Sequence, residues 1–196
     1  MKSMGKKVYW LSIISLIVLI AIELIGNYDR LSRQVALSFT ALVVLALILF
    51  IKRYFINSDK LLGATALAAS LGVWFDALGN FWQFYTKFLW WDKVAHGVGA
   101  ASTAVAVASF FLILQQRGKL QMSLRMHWFV WVSVTMLLAG IYEITELFGD
   151  EWFGLDRLID IYDTPDDLRW NLLGAMIASG VMVGLNKGKK VVDKTG

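Results

Sequence analysis

The chain has 196 residues, 58% of them hydrophobic, with mean hydropathy +0.60, one proline and no cysteine. A water-soluble domain is nearer about 45–50% apolar, so the composition excludes a soluble enzyme and indicates an integral membrane bundle. Lack of cysteine excludes a disulfide framework, a thiolate nucleophile and a cysteine-based metal site. The net charge of +4 and pI near 9.3 fit a membrane surface and not nucleic acid, because of how the cations are distributed among the loops.

A membrane span needs about 20 apolar residues. Six runs qualify, at 8–26, 34–51, 61–80, 92–114, 126–147 and 167–186. The expected fold is all-α: one transmembrane helical domain, 1–196, of six membrane helices in a multi-pass cell-membrane protein. Lys2, Lys6 and Lys7 precede the first run, as in a signal peptide. That run is too long for a signal-peptide core, and no small-residue cleavage pattern follows it, so it reads as a retained span.

The third run carries Asp76 and Asn80 near its end. The aromatic stretch Phe81 to Trp91 follows, and Trp and Tyr favour the headgroup region, so it is predicted to lie along the interface. The fourth run holds Gly97, Gly99, Ala100, Ala101, Ala104 and Ala108. Small residues let helices approach closely in lipid, which predicts a central position. After the fifth run, Trp152, Leu155, Leu158, Ile159 and Tyr162 recur at near-helical spacing with Asp156, Arg157 and Asp160 between them. This predicts an amphipathic helix over 150–162, lying on the membrane. Pro165 suits the first turn of the last helix, where its missing N–H is not needed.

Lys and Arg set the topology. Thirteen of the 19 fall on the side of the N-terminus and six on the other, which places both termini in the cytoplasm. Of the 15 acids, only Asp59 and Asp193 fall on the cytoplasmic side. The polar chemistry is therefore expected to face outward.

That chemistry centres on Tyr142-Glu143-Ile144-Thr145-Glu146. Glu143 and Glu146 share a helix face, and a carboxylate in a membrane helix costs roughly 2.5–3.5 kcal/mol unless it finds a partner or water. Asp92 and His96, Asp167 and Asn171, and Asp76 and Asn80 each repeat a polar pair at i, i+4 near the same predicted depth. These groups are expected to converge. Two nearby carboxylates share a proton, bind a cation, or pair with Lys93 or Arg169. An oxygen-rich set with one imidazole suits Mg²⁺, Mn²⁺ or Ca²⁺, and Zn²⁺ would also accept it. The candidate metal ligands are Asp92, His96, Glu143 and Asp167. The candidate catalytic groups are His96, Glu143, Glu146 and Asp92, with Glu143 and His96 as a general acid/base pair. Asp76, Asn80, Lys93, Tyr142, Asp163 and Asn171 are candidate substrate contacts. Purely structural readings stand beside these: a capping Asp92, a packing His96, an ion-pair network at Glu143 and Glu146, and N-cap roles for Thr164 and Asp166. His127, beside Arg125, reads as an interface residue.

Three segments, Trp91-Asp92-Lys93-Val94-Ala95-His96, Gly140-Ile141-Tyr142-Glu143-Ile144-Thr145-Glu146 and Asp167-Leu168-Arg169-Trp170-Asn171-Leu172-Leu173-Gly174-Ala175, resemble the VanZ-like family of bacterial membrane proteins. The likeness covers the last three spans. Glu146 stands where that family usually has Gln, adding a negative charge. The Asp-Thr-x-x-Asp run, Asp163 to Asp167, also resembles a related group of bacterial inner-membrane proteins. The family's namesake is associated with low-level resistance to the glycopeptide teicoplanin, so the resemblance implies an envelope location but names no reaction.

Two functions follow as expectations. One is an enzyme, a hydrolase or transferase acting at the outer leaflet on a lipid or lipid-linked envelope substrate with a divalent metal. The other is an envelope protein that binds a lipid headgroup, a glycopeptide-like molecule or a cation without turnover. A proton-coupled transporter is third: membrane carboxylates can relay protons, but few charges lie deep in the spans.

Overall fold

The computed structural model describes residues 2–26, 31–53, 59–155 and 162–192. Among them the chain forms seven helices and no strand: α1 (Lys2–Ile25), α2 (Leu31–Lys52), α3 (Asp59–Phe81), α4 (Phe84–Lys87), α5 (Trp91–Gln116), α6 (Leu124–Phe153) and α7 (Asp163–Val192). Six are long and apolar enough to cross a membrane, all but the four-residue α4. The protein is an all-α polytopic membrane bundle.

In lipid, a backbone polar group left unpaired is costly, so spanning segments close their hydrogen bonds internally as helices. The helix ends follow local rules. Ser123 caps α6 with its hydroxyl accepting from the Met126 N–H at 3.3 Å. Gly154 ends α6 in the left-handed region (φ 60°), and its N–H and that of Leu155 return to the carbonyls of Asp150 and Gly149, a pairing that satisfies orphan carbonyls. Helix α6 thus runs past the expected end at 147. The start of the expected 150–162 surface helix, Asp150–Phe153, is instead its last turn. Residues 156–161 of that segment lie outside the described residues. Asp163 and Pro165 both fall in the first turn of α7.

The bundle is built outward from α5, which packs on α3, α6 and α7, while α1 packs on α2 and α3. This is the central position its small residues predict. Two close approaches need glycine. A Cβ on Gly174 of α7 would collide with the Gly97 carbonyl of α5, and one on Gly63 of α3 would meet the Gly5 backbone of α1. Without a hydrophobic force between helices in lipid, close van der Waals packing and polar contacts hold them. The Ser15 and Ser70 hydroxyls supply one, 2.8 Å apart between α1 and α3. One apolar cluster joins α1, α2 and α3 through Tyr9, Leu16, Leu19, Ala41 and Ala66. Another joins α5 and α6 through Val107, Ala108, Leu112 and Trp131. His127 is buried and stacks on Trp131 at 5.1 Å. Its ring packs inside the bundle in the first turn of α6.

Candidate functional site

The acidic ends of α3, α5, α6 and α7 meet at one end of the bundle. His96, one turn into α5, lies between carboxylates from two other helices. Its Nδ1 is 3.3 Å from Glu143 Oε1, and its Nε2 is 3.5 Å from Asp167 Oδ2 and 3.7 Å from Asp92 Oδ1. Asn171 Nδ2 donates to Glu143 Oε1 at 3.3 Å and lies 3.4 Å from His96 Nδ1. Glu143, Glu146, Asp167 and Asn171 are buried. Tyr142 sets its ring edge-on to the imidazole, 6.1 Å between centroids.

Two overlapping sets of ligand-type atoms lie within 4.8 Å of one another: His96, Glu143, Glu146 and Asp167, and Asp92, Asp163 and Asp167. Metal–oxygen and metal–nitrogen bonds of about 2.0–2.6 Å put the atoms around one ion roughly 3–4 Å apart. The two Nε2 spacings, to Asp167 and Asp92, fall in that range and are long for direct hydrogen bonds.

The cations lie to one side. Lys93 Nζ is 2.8 Å from Asp166 Oδ2, tying the start of α5 to the start of α7, and Arg169 reaches the same carboxylate at 2.5 Å. Asp166 is thus held by two cations in the first turn of α7, a favourable place for an acid.

Below the carboxylates lies a cavity of about 440 Å³, with Asp76, Tyr85, Asp92, His96, Tyr142 and Asn171 at its polar end. Asp76 accepts a hydrogen bond from the Tyr85 hydroxyl at 2.7 Å. Burial, then the negative charge of Asp76, pushes the Tyr85 phenol well above its ordinary range, so it remains a donor. Tyr85 was not singled out in the sequence. Its signal was a phenol in an aromatic stretch otherwise suited to the interface. That stretch is ordered by stacking: Trp91 lies parallel to Phe75, 4.5 Å between centroids, and Gly79 leaves room for Trp91 and Tyr85.

Eight candidates therefore come together directly: Asp92, His96, Tyr142, Glu143, Glu146, Asp163, Asp167 and Asn171. Asp76 joins them through the shared cavity. Asn80 does not, because its amide donates to the Asp76 backbone carbonyl at 3.3 Å. Lys93 is at the edge, on Asp166. Glu23, at the end of α1, is buried.

Six apolar helices closing over a buried acid–imidazole cluster define a multi-pass membrane protein with a polar pocket at one end. The chain belongs to the family described as "Predicted membrane protein (DUF2238)", whose model matches residues 8–188. No curated protein and no solved structure matches it.

Proposed function

We propose that this protein is a metal-assisted hydrolase or transferase acting on the polar head of a lipid or lipid-linked substrate at the outer face of the cell membrane. The observation that carries the reading is His96 set between buried carboxylates of α6 and α7 at the head of a membrane-embedded cavity. The charge asymmetry of the loops supports an outward-facing pocket with both termini in the cytoplasm. The likeness to VanZ-like proteins supports an envelope role.

The two imidazole nitrogens take different roles. Nε2, near Asp92 and Asp167, is the ligand nitrogen, with Asp163 beside them. Nδ1–H donates to Glu143, which fixes the ring's orientation, and Asn171 holds Glu143 in turn. Metal-bound histidines commonly use such an outer carboxylate. A bound divalent ion would polarise a phosphoryl or carbonyl oxygen and lower the pKa of a bound water. Asp92 and Tyr142, both lining the cavity, contact the head, and Asp76 with Tyr85 forms the opposite wall.

The test is metal content of the purified protein by elemental mass spectrometry after exposure to Mg²⁺, Mn²⁺, Ca²⁺ and Zn²⁺. One divalent ion per chain is expected, lost in Asp92→Asn and Asp167→Asn. Its affinity should fall roughly 10–100-fold in Glu143→Gln. No bound ion, or full retention in both Asp variants, refutes the metal assignment. Incubation with a membrane lipid extract, read by mass spectrometry, tests turnover; absence of any metal-dependent product leaves a protein that binds the head without reacting.

A further inference from the structure

The cavity continues far beyond the polar cluster. On α5 its lining runs from Asp92 to Val107, on α3 from Asp76 to Thr65, and on α2 from Thr40 to Ile51. At about 1.5 Å of rise per residue, the α5 stretch alone covers roughly 22 Å. One leaflet of a hydrocarbon core about 30 Å thick is about 15 Å deep. The slot is therefore long enough for the whole tail of a lipid whose head stays at His96.

Its surface is that of a hydrocarbon site. Val44, Leu47, Ile48, Val73, Val107 and Leu138 line it. Two hydroxyls on its wall are turned back onto their own helices: Thr40 donates to the Ala36 carbonyl at 3.1 Å and Thr103 to the Gly99 carbonyl at 3.0 Å. At the deep end, the buried hydroxyls of Thr65 and Thr135 have no hydrogen-bond partner among the described residues. Apart from these two hydroxyls the deep wall is apolar, and such a surface holds water poorly and admits hydrocarbon. Helices α3 and α5 make its floor. The α2 wall packs on α1 and α3, and the α6 wall on α5 and α7, so the slot lies between two walls anchored on opposite sides of the bundle.

We infer that this slot holds one hydrocarbon tail of a membrane phospholipid and so registers its head against the His96 cluster. The inference rests on the proposed lipid reading and names the part of the substrate that the site grips. Lipid tails are as apolar as the slot, so transfer from bilayer to slot gains little hydrophobic energy. Affinity then comes from the head, and the tail supplies position: the reacting group is held at one depth. The second tail of the same lipid remains in the bilayer.

The probe is phosphatidylethanolamine with a diazirine in the middle of one tail, reconstituted with the full chain in phosphatidylethanolamine–phosphatidylglycerol vesicles. After irradiation, peptide mass spectrometry reads the labelled residues. Labels are expected on slot residues Ala69, Val73 and Val107 as well as on lipid-facing Leu137 and Ile177. Ala106→Trp, which plugs the slot, should lower the slot labels at least tenfold and leave the lipid-facing ones unchanged; Leu137→Trp should lower none of the three slot labels. Thr135→Val, which removes a buried hydroxyl and keeps the shape, should label the slot at least as strongly as the parent. Labels confined to lipid-facing residues in both the parent and Thr135→Val overturn the inference. Repeating the labelling after chelation separates the two readings. Slot labels in a protein that binds no metal uphold the tail site and sink the metal. A metal-loaded protein without slot labels does the reverse.

Discussion

At the residue scale the site depends on burying charge that stays useful. Glu143 and Asp167 are nearly excluded from solvent, and such acids persist in a membrane only with partners. His96 and Asn171 serve Glu143, and His96 serves Asp167. Tyr85 does the same for Asp76 from the short helix α4. The phenol is raised well above its usual value, so the neutral donor is the favoured form in the folded protein. The sign follows: its contribution is complete below the ordinary phenol pKa of about 10 and is lost only as pH rises beyond the raised folded value. Tyr85→Phe should therefore lower thermal stability by the worth of a hydrogen bond to a charged group, about 1.5–3 kcal/mol. Ultraviolet titration of the folded parent and variant should coincide up to about pH 10; an extra phenolate signal from the parent below that pH would contradict the assignment.

At the scale of elements, the α5–α7 contact fixes the site. Asp167 and Asn171 lie on α7, two turns and one turn from Gly174 respectively, and His96 adjoins Gly97 on α5. The two glycines allow the backbones to touch, which brings side chains up to two turns away within ligand distance. Gly174→Val should force the helices apart. A cost of about 1–3 kcal/mol is expected from overpacking, together with loss of bound metal, since His96 and Asp167 separate. Gly184→Ala, on the same helix with open space around its Cβ position, is the neutral control. Unchanged melting temperature and metal content in Gly174→Val would show that the close approach does not position the site.

At the scale of the whole molecule, the proposed reaction at the outer face needs the acidic end of the bundle to face outward. The chain has no cysteine, so a single introduced thiol reports one position. A membrane-impermeant maleimide should label Leu89→Cys, between α4 and α5, in intact spheroplasts. It should reach Lys119→Cys, between α5 and α6, only after permeabilisation. The opposite pattern would turn the pocket to the cytoplasm and remove an outer-leaflet substrate.

Composition and apolar run length alone determined that the chain is a six-span helical membrane protein, because a bilayer demands about 20 apolar residues per span and satisfies no backbone group itself. The i, i+4 polar pairs at the span ends also marked most of the site, since spacing on a helix fixes which side chains share a face. Spacing says nothing of rotation between helices. That Asn80 turns to its own backbone, that His127 packs on Trp131 inside the bundle, and that Tyr85 reaches Asp76 were decided by packing between elements. The long slot below His96 was likewise a tertiary product: its lining comes from helices distant in the chain, and no run of residues carries the shape of the space between them.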